Sequence, residues 1–215
     1  MITLFRDAYW ISPYVFSVWT ALRAKGLPFE VSEVKIQDGA QREPAYAAAS
    51  VTARVPALTH DGFTVAESSA IVEYLEDAFP ETARVLPVEP RARARARQVM
   101  SWLRSDDTIP LRMQRSTATM FYPAERAKNR PLDGAAPGAR DKAVAVTERL
   151  LDEGGEWPFG GSFTVADADL AFFLHRLILS GDELPGRVQD YAARVWQQPT
   201  VQAFVTRERP AYVPY

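Results

Sequence analysis

The stretch RVPALTHDGFTVAESSA, residues 54–70, contains the local signals from which the fold of the first part of the chain is predicted. Val55-Pro56 precedes one β pattern, Asp61-Gly62 separates it from a second, and Glu67-Ser68 opens a helical pattern. A two-residue Asp-Gly turn, which requires φ > 0, is the strongest short-range signal of a β-hairpin. The stretch therefore predicts two antiparallel strands followed by a helix that begins near Ser68.

Before this stretch the sequence predicts a strand, a helix and a second strand. Residues 2–5 form a short apolar run, and residues 29–36, FEVSEVKI, alternate well enough to be a strand. The helix between them is indicated by apolar residues at i, i+3, i+4 and i+7, namely Val15, Val18, Trp19 and Leu22. Because a short helical connection makes the two strands parallel, we expect a βαβ-ββα unit with a small mixed sheet.

The segment PETARVLPVEP, residues 80–90, separates this unit from the rest of the chain. Its three prolines and its lack of periodicity indicate a linker. Beyond it we find only helical patterns, for example the stripe of Leu170, Leu174, Leu177 and Ile178. We therefore predict an α/β domain at residues 1–80, a linker at residues 81–90 and an all-α domain at residues 91–215.

Composition and charge exclude several classes of function. The net charge of −2 argues against a polyanion-binding surface, so we expect no nucleic-acid partner. The chain has no cysteine, so any thiol chemistry must use an external thiol. His60 and His175 stand alone without the spacing of metal ligands, so we expect no metal. The start MITLFRD lacks the apolar run of a signal peptide, which predicts a cytoplasmic protein with no membrane partner.

The stretch SPYV, residues 12–15, stands at the junction of the first strand and the first helix. Ser12 suits the N-cap position, and Pro13 suits the first helical position. The same place has the positive end of the helix dipole and a hydroxyl donor, which together can stabilise an anion such as a thiolate. A Ser-Pro helix start is also a purely structural signal, so the spacing leaves both interpretations open.

Val55-Pro56 and Glu67-Ser68 are two further candidate sites. An X-Pro bond becomes cis at small cost, and a cis bond here turns main-chain groups outward, where they can pair with an extended peptide. A trans proline that starts an edge strand is the alternative. A helix capped by Ser68 or Ser69 can hold a carboxylate on its free N–H groups, while Glu67 can pair with an ammonium. This helix start therefore suits an α-amino acid end, which carries an ammonium and a carboxylate side by side. Helix capping alone also explains these residues.

The order βαβ-ββα with SPYV, RVP and ESSAI, followed by an all-helical half, resembles a glutathione S-transferase over essentially the whole chain. The resemblance implies a thioredoxin-like first domain. The segment FTVADADLA, residues 163–171, is similar to the one that caps a central helix in this family, with Thr164 and Asp167 at capping spacing. In related glutaredoxins the first helix starts Cys-Pro-Tyr-Cys, whereas this chain has Ser12 and Val15 at the cysteine positions. The dithiol redox chemistry is therefore absent.

The resemblance implies a glutathione site assembled from the three motifs. Ser12 lies beside the glutathione sulfur as the catalytic residue. Val55 and Pro56 meet the cysteinyl backbone of the tripeptide, and Glu67 and Ser68 hold its γ-glutamyl end. The side chain that holds the glycine carboxylate stays unassigned among five candidates, which are Lys35, Gln37, Gln41, Arg42 and Arg54.

The resemblance further implies an enzyme that uses reduced glutathione as co-substrate. Its thiolate would attack a small hydrophobic electrophile or a hydroperoxide, which includes glutathione-dependent peroxidase activity. We expect an electrophile pocket with Tyr9, Trp10 and Trp102, and we expect a homodimer. Many relatives use a tyrosine in place of the serine, so Tyr9 and Tyr14 stay open as alternatives to Ser12. A glutathione-binding stress or interaction protein without turnover is the alternative function.

Overall fold

The computed structural model describes residues 1–214, which form two compact units. Among these residues the first unit consists of Met1–Val85 together with residues 203–214, and the second consists of Leu86–Gln202. The first unit is built on a mixed sheet with helices, and the second contains helices and turns. This arrangement confirms the predicted fold class, a thioredoxin-like α/β domain with an all-α domain.

A four-stranded sheet in the order β2-β1-β3-β4 forms the centre of the first unit. Its strands are β1 (Ile2–Asp7), β2 (Glu30–Val34), β3 (Ala57–His60) and β4 (Phe63–Ala66). β1 and β2 are parallel, with Thr3 opposite Glu30, while β3 is antiparallel to both β1 and β4. The parallel pair is joined through a helix, as parallel strands require.

The hairpin between β3 and β4 has the two-residue turn that the sequence predicts. Asp61 and Gly62 have φ angles of 48° and 88°, and His60 and Phe63 face each other across the turn. Glycine adopts positive φ without steric cost, and aspartate tolerates it better than most residues. The Asp-Gly pair therefore sets the register of the hairpin, and the prediction is confirmed.

Three helices surround this sheet, namely α1 (Pro13–Ala24), α2 (Pro44–Ala49) and α3 (Ser68–Ala78). Two short 3₁₀ turns, Ile36–Asp38 and Ala40–Arg42, connect β2 to α2. The core of the unit is apolar and fully buried; it includes Leu4, Val15, Leu22, Leu58, Ile71 and Leu75. One ion pair lies inside it, because Lys25 Nζ is 3.0 Å from Glu76 Oε1 and neither side chain is exposed.

The second unit consists of helices. They are α4 (Pro90–Arg104), α5 (Ile109–Gln114), α6 (Thr117–Phe121), α7 (Pro123–Arg126), α8 (Ala136–Gly154), α9 (Val165–Ile178), α10 (Gly186–Trp196) and the start of α11 (Pro199–Val205). Every residue of α9 up to Leu177 is buried, so this helix forms the centre of the unit. Within residues 1–214 no helix is both long and apolar enough to cross a membrane.

The start of α9 has the capping box that the sequence predicts. Thr164 Oγ1 accepts a hydrogen bond from the N–H of Asp167, and Asp167 Oδ2 accepts one from the N–H of Thr164. Tyr191 Oη donates to the other carboxylate oxygen, at 3.0 Å. Burial raises the pKa of Asp167 to about 6 although these bonds favour the charged form. Asp167 is therefore a structural carboxylate, as the sequence indicates.

The compact units differ in extent from the predicted domains. The division between Val85 and Leu86 lies inside the predicted linker at residues 81–90. The sequence assigns residues 91–215 to the helical domain, whereas residues 203–214 group with the first unit. The reason is that the Phe204 ring packs against the rings of Trp10, Phe16 and Trp19.

Candidate active site

Ser12 is the N-cap of α1 and follows the loop that leaves β1. Its Oγ accepts a hydrogen bond from the N–H of Val15 at 3.3 Å, and Pro13 occupies the first helical position. An oxygen that accepts this bond keeps its own proton, which it can donate to an anion at the same helix end. The Ser12 hydroxyl therefore caps the helix and remains a donor.

Asp7, which sequence reasoning missed, holds the loop formed by residues 8–12. It is fully buried at the end of β1, and its carboxylate accepts the N–H of Ile11 at 2.9 Å and that of Ser12 at 3.2 Å. Burial raises the pKa of Asp7, while these two N–H groups lower it in part. Because the main-chain N–H of Ser12 is engaged, the hydroxyl is the donor that this residue offers to a ligand. An acid at the end of a strand that begins with apolar residues was the available sequence signal.

The Val55-Pro56 bond is cis, which is one of the two states that the sequence leaves open. The ladder between β3 and β1 begins with Ala57 opposite Phe5, so Val55 lies just outside it. Tyr46 Oη donates to the carbonyl of Arg54 at 2.8 Å, which fixes the main chain immediately before Val55. Burial raises the pKa of Tyr46 to about 12, so its hydroxyl keeps the proton that it donates. Tyr46 is a second residue that sequence reasoning did not identify.

Glu67 and Ser68 stand where β4 passes into α3. Glu67 has φ 69° and ψ 115°, a conformation that residues with a side chain rarely adopt. Its side chain is exposed and makes no capping bond, whereas Ser68 is buried. Unusual backbone conformations of this kind are concentrated at ligand sites. The exposed Glu67 carboxylate and the N-terminal N–H groups of α3 are polar features of this corner.

The sheet register brings the three motifs to one edge. Phe5, Ala57 and Ala66 are opposite each other on β1, β3 and β4. Ser12 follows this end of β1, Val55 precedes this end of β3, and Glu67 follows this end of β4. Adjacent strands are about 4.8 Å apart, so the row spans roughly 10 Å, a length comparable to a short peptide. The chain after β2 also leaves the sheet at this edge, because β2 is parallel to β1.

The three residues expected at an electrophile pocket lie in two different surroundings. Tyr9 and Trp10 are buried in the first unit, and the Trp10 ring packs against Trp19 and Phe204. Trp102 belongs to the second unit. There it lines a cavity of about 270 Å³ between α4 and α8, together with Val99, Val146 and Leu150. An electrophile pocket that contains all three stays a prediction.

Comparison with known proteins gives one consistent result. The family model "Glutathione S-transferase, N-terminal domain" matches residues 11–78, and "Glutathione S-transferase, C-terminal domain" matches residues 89–209. The first match begins one residue before Ser12 and includes Val55 and Glu67. The two models together span most of the chain.

Individual relatives include two glutathione transferases and one isomerase. A glutathione transferase homologue from Burkholderia, solved with bound glutathione, is 38% identical with a TM-score of 0.76, over 95% of this chain and 96% of that one. Glutathione S-transferase U28 of Arabidopsis thaliana is 35% identical over 41% of this chain and 39% of that protein. The match therefore spans about two fifths of that curated relative. Maleylacetoacetate isomerase of Pseudomonas aeruginosa is 41% identical over 46% of this chain and 47% of that protein.

Proposed function

Because the chain belongs to the glutathione S-transferase family, we propose that it binds reduced glutathione along the sheet edge at Phe5, Ala57 and Ala66. The observation that carries this proposal is the shared register of the three strands, which brings Ser12, Val55 and Glu67 to the same edge. The proposal is supported by the Burkholderia homologue, which is similar over nearly its whole length and holds glutathione.

The cysteinyl backbone and the γ-glutamyl end of the tripeptide each have a matching group in this arrangement. The main chain of Val55 pairs with the cysteinyl residue as an added strand does. The Glu67 carboxylate receives the γ-glutamyl ammonium, and Ser68 with the first N–H groups of α3 receives the adjacent carboxylate. The thiol then lies at the start of α1, beside the Ser12 hydroxyl.

The role of Ser12 is to stabilise the thiolate. A free thiol with a pKa of about 8.5 is roughly 3% ionised at pH 7, and lowering the pKa by two units increases the ionised fraction about 25-fold. The same shift reduces intrinsic nucleophilicity by roughly six- to tenfold, which leaves a gain of only a few-fold. Most of the acceleration must therefore come from holding the electrophile against the sulfur.

In the proposed reaction the sulfur lone pair attacks a carbon of a small hydrophobic electrophile. In an aryl halide the carbon–halogen bond breaks and halide leaves. In an epoxide the C–O bond of the strained ring breaks and the oxygen takes up a proton. With a hydroperoxide, the thiolate takes the terminal oxygen and the alcohol leaves after protonation. A second glutathione then reduces the sulfenic product, which gives glutathione disulfide and water. An isomerisable double bond is a further candidate, supported by the Pseudomonas isomerase that the chain resembles in part. A homodimer and a cytoplasmic location remain part of this proposal.

Calorimetric titration with reduced glutathione, followed by Ser12→Ala, tests the proposal. We expect binding to persist and turnover to fall about 10- to 100-fold, because the variant loses both the few-fold gain from ionisation and the hydrogen bond that holds the sulfur in place against the electrophile. Ser101→Ala, a change at an exposed serine of α4, is the control. Absence of any heat at millimolar glutathione would contradict the binding proposal.

A panel of aryl halides, epoxides, isomerisable alkenes and hydroperoxides distinguishes the reactions. An unchanged rate in Ser12→Ala would indicate that Tyr9, Tyr14 or the main chain, and not Ser12, stabilises the thiolate. Glutathione binding without turnover on every member of the panel would instead support the non-enzymatic alternative.

A further inference from the structure

The C-terminal segment, residues 204–212, packs within the first unit against the loop of residues 8–12. We propose that this segment positions Ser12 for the reaction, with Arg209 as the main positioning residue. The inference rests on the proposed function, since it assumes that Ser12 acts on the glutathione sulfur. It adds a requirement for a distant part of the chain that none of the three glutathione motifs contains.

Arg209 joins the C-terminal segment to the loop through one guanidinium group. Its Nε donates to the carbonyl of Trp10 at 3.2 Å, two residues before Ser12. Its two Nη atoms donate to three carbonyls at the end of α11 and after it, those of Phe204 at 3.0 Å, Val205 at 3.2 Å and Arg207 at 2.7 Å. The guanidinium group therefore closes the turn after α11 and ties it to the loop. A lysine has a single nitrogen and cannot reproduce this fork.

The Trp10 side chain is held by the same segment. The Arg207 guanidinium lies 4.1 Å from the Trp10 ring centroid and 4.5 Å from that of Trp19, and Arg6 lies 4.5 Å from Trp10. Among residues 1–214 Arg207 makes no ion pair with a carboxylate, so aromatic faces hold it in place. Burial lowers the pKa of Arg207, and the nearby charges of Arg6 and Arg23 lower it further.

The backbone of Trp10 explains why the loop needs these contacts. Trp10 has φ 54°, in the left-handed region that bulky residues rarely adopt. Such a conformation persists where surrounding structure over-determines it. Next to it, the Tyr9 ring makes an edge-to-face contact with Tyr212, with the centroids 5.0 Å apart. The C-terminal segment thus contacts two consecutive loop residues through side chains and main chain.

Ser12 is consequently held from two directions. Asp7 fixes its N–H from inside the sheet, and Arg209 fixes the carbonyl of Trp10 from the C-terminal segment. Val55 and Glu67 are held by other elements, so loss of the segment should leave most of the affinity for glutathione intact. The effect should appear in kcat, because small displacements of a reacting group reduce the rate strongly.

The test compares Arg209→Ala with Arg126→Ala in the full-length protein. Arg126 is the matched control, because its guanidinium group likewise donates to main-chain carbonyls. These are the carbonyls of Thr119 and Met120, which lie in the second unit. With one electrophile from the panel, we expect kcat of Arg209→Ala to fall about tenfold, with KM for glutathione within about twofold. Guanidinium chloride at tens of millimolar should restore part of kcat in this variant and none in the control.

Tyr212→Ala provides a second variant that leaves the Arg209 bonds in place, and we expect about a threefold loss of kcat from it. Unchanged kcat in both variants, with Ser12→Ala strongly impaired in the same assay, would overturn the positioning role and leave the proposed function standing. Unchanged kcat in Ser12→Ala as well would overturn the positioning role and indicate that Tyr9, Tyr14 or the main chain stabilises the thiolate, whereas absence of glutathione binding would overturn the proposed function itself. A loss of kcat in Arg209→Ala that guanidinium does not restore, with Tyr212→Ala unaffected, would also count against the inference.

Discussion

At the scale of single residues, Glu67 connects an uncommon backbone conformation with a free charge. Glu67 has φ 69° immediately before α3, and its exposed carboxylate makes no capping bond. We predict that Glu67→Gln weakens glutathione binding about three- to tenfold, because a neutral amide replaces a charge-assisted bond to the ammonium. Calorimetry measures this effect, and the exposed acid Glu81 provides the control Glu81→Gln. Equal affinities of the two variants for glutathione would show that Glu67 does not bind the ammonium.

Asp7 acts at the same scale through hydrogen bonds to the main chain. In Asp7→Asn the amide nitrogen must face the N–H of Ile11 or of Ser12, so one buried donor loses its acceptor. We predict a loss of about 1–3 kcal/mol in unfolding free energy, which is typical of an unsatisfied buried donor. We also expect a lower kcat. Urea unfolding checks the first effect, with the exposed Asp190→Asn as control; equal midpoints would contradict it.

At the scale of elements, the pair of Lys25 and Glu76 joins the end of α1 to α3. Glu76 also accepts the N–H of Val85 at 2.9 Å and pairs with Arg84. Burial tends to raise the pKa of Glu76, but the Val85 N–H, Lys25 and Arg84 outweigh it, so this pKa lies below its usual 4.5. The contribution of ionised Glu76 to the free energy of unfolding is therefore complete above pH 4.5. It is lost as the pH falls through the lowered pKa.

We predict that Lys25→Met destabilises the protein by up to about 3 kcal/mol, at the low end of the cost of breaking a buried ion pair, because Glu76 loses its buried cation and keeps only the partly exposed Arg84. The double variant Lys25→Met with Glu76→Gln should recover much of this loss. Its amide oxygen still accepts the Val85 N–H, and no buried charge remains unpaired. Urea unfolding of both variants at pH 7 measures the difference. A double variant less stable than Lys25→Met would refute the explanation.

At the scale of the whole molecule, two buried groups of the helical unit give stability opposite dependences on pH. His175 stacks on Trp196 with ring centroids 3.6 Å apart and bonds to the carbonyl of Ala171. Burial lowers its pKa to about 4, so its contribution is present above pH 6.5 and is lost as the pH falls toward 4. The raised pKa of Asp167 acts in the other direction, because stability gained by its protonation is lost as the pH rises toward about 6.

We predict that His175→Phe gains stability relative to the unmodified protein as the pH falls from 6.5 to 4. The relative gain should reach about 3 kcal/mol, since each pKa unit corresponds to about 1.4 kcal/mol. Phenylalanine can keep the stack on Trp196 and has no proton to take up. Urea unfolding at several values between pH 7 and pH 4 gives the comparison. Parallel stability curves for the two proteins would show that His175 does not titrate in this way.

Features that depend only on neighbouring residues could be predicted from the sequence alone. The Asp61-Gly62 turn, the Ser12-Pro13 helix start and the capping box of Thr164 and Asp167 follow from local backbone preference and short-range hydrogen bonds. The alternation and periodicity of apolar residues indicated the α/β and all-α parts for the same reason. The three motifs of the candidate site were therefore visible before their spatial arrangement was known.

The groups that support those motifs could be identified only from the folded chain. Arg209 donates a hydrogen bond to the carbonyl of Trp10, which is 199 residues away in the sequence. Tyr46, in α2, donates to the carbonyl of Arg54. The Asp7 carboxylate accepts a hydrogen bond from the N–H of Ile11 in the following loop. Such contacts depend on which surfaces meet when the chain packs, and several arginines, tyrosines and aspartates could have supplied them equally well. Local patterns carry no information on that choice, because its free energy arises from burial and geometry across the folded unit.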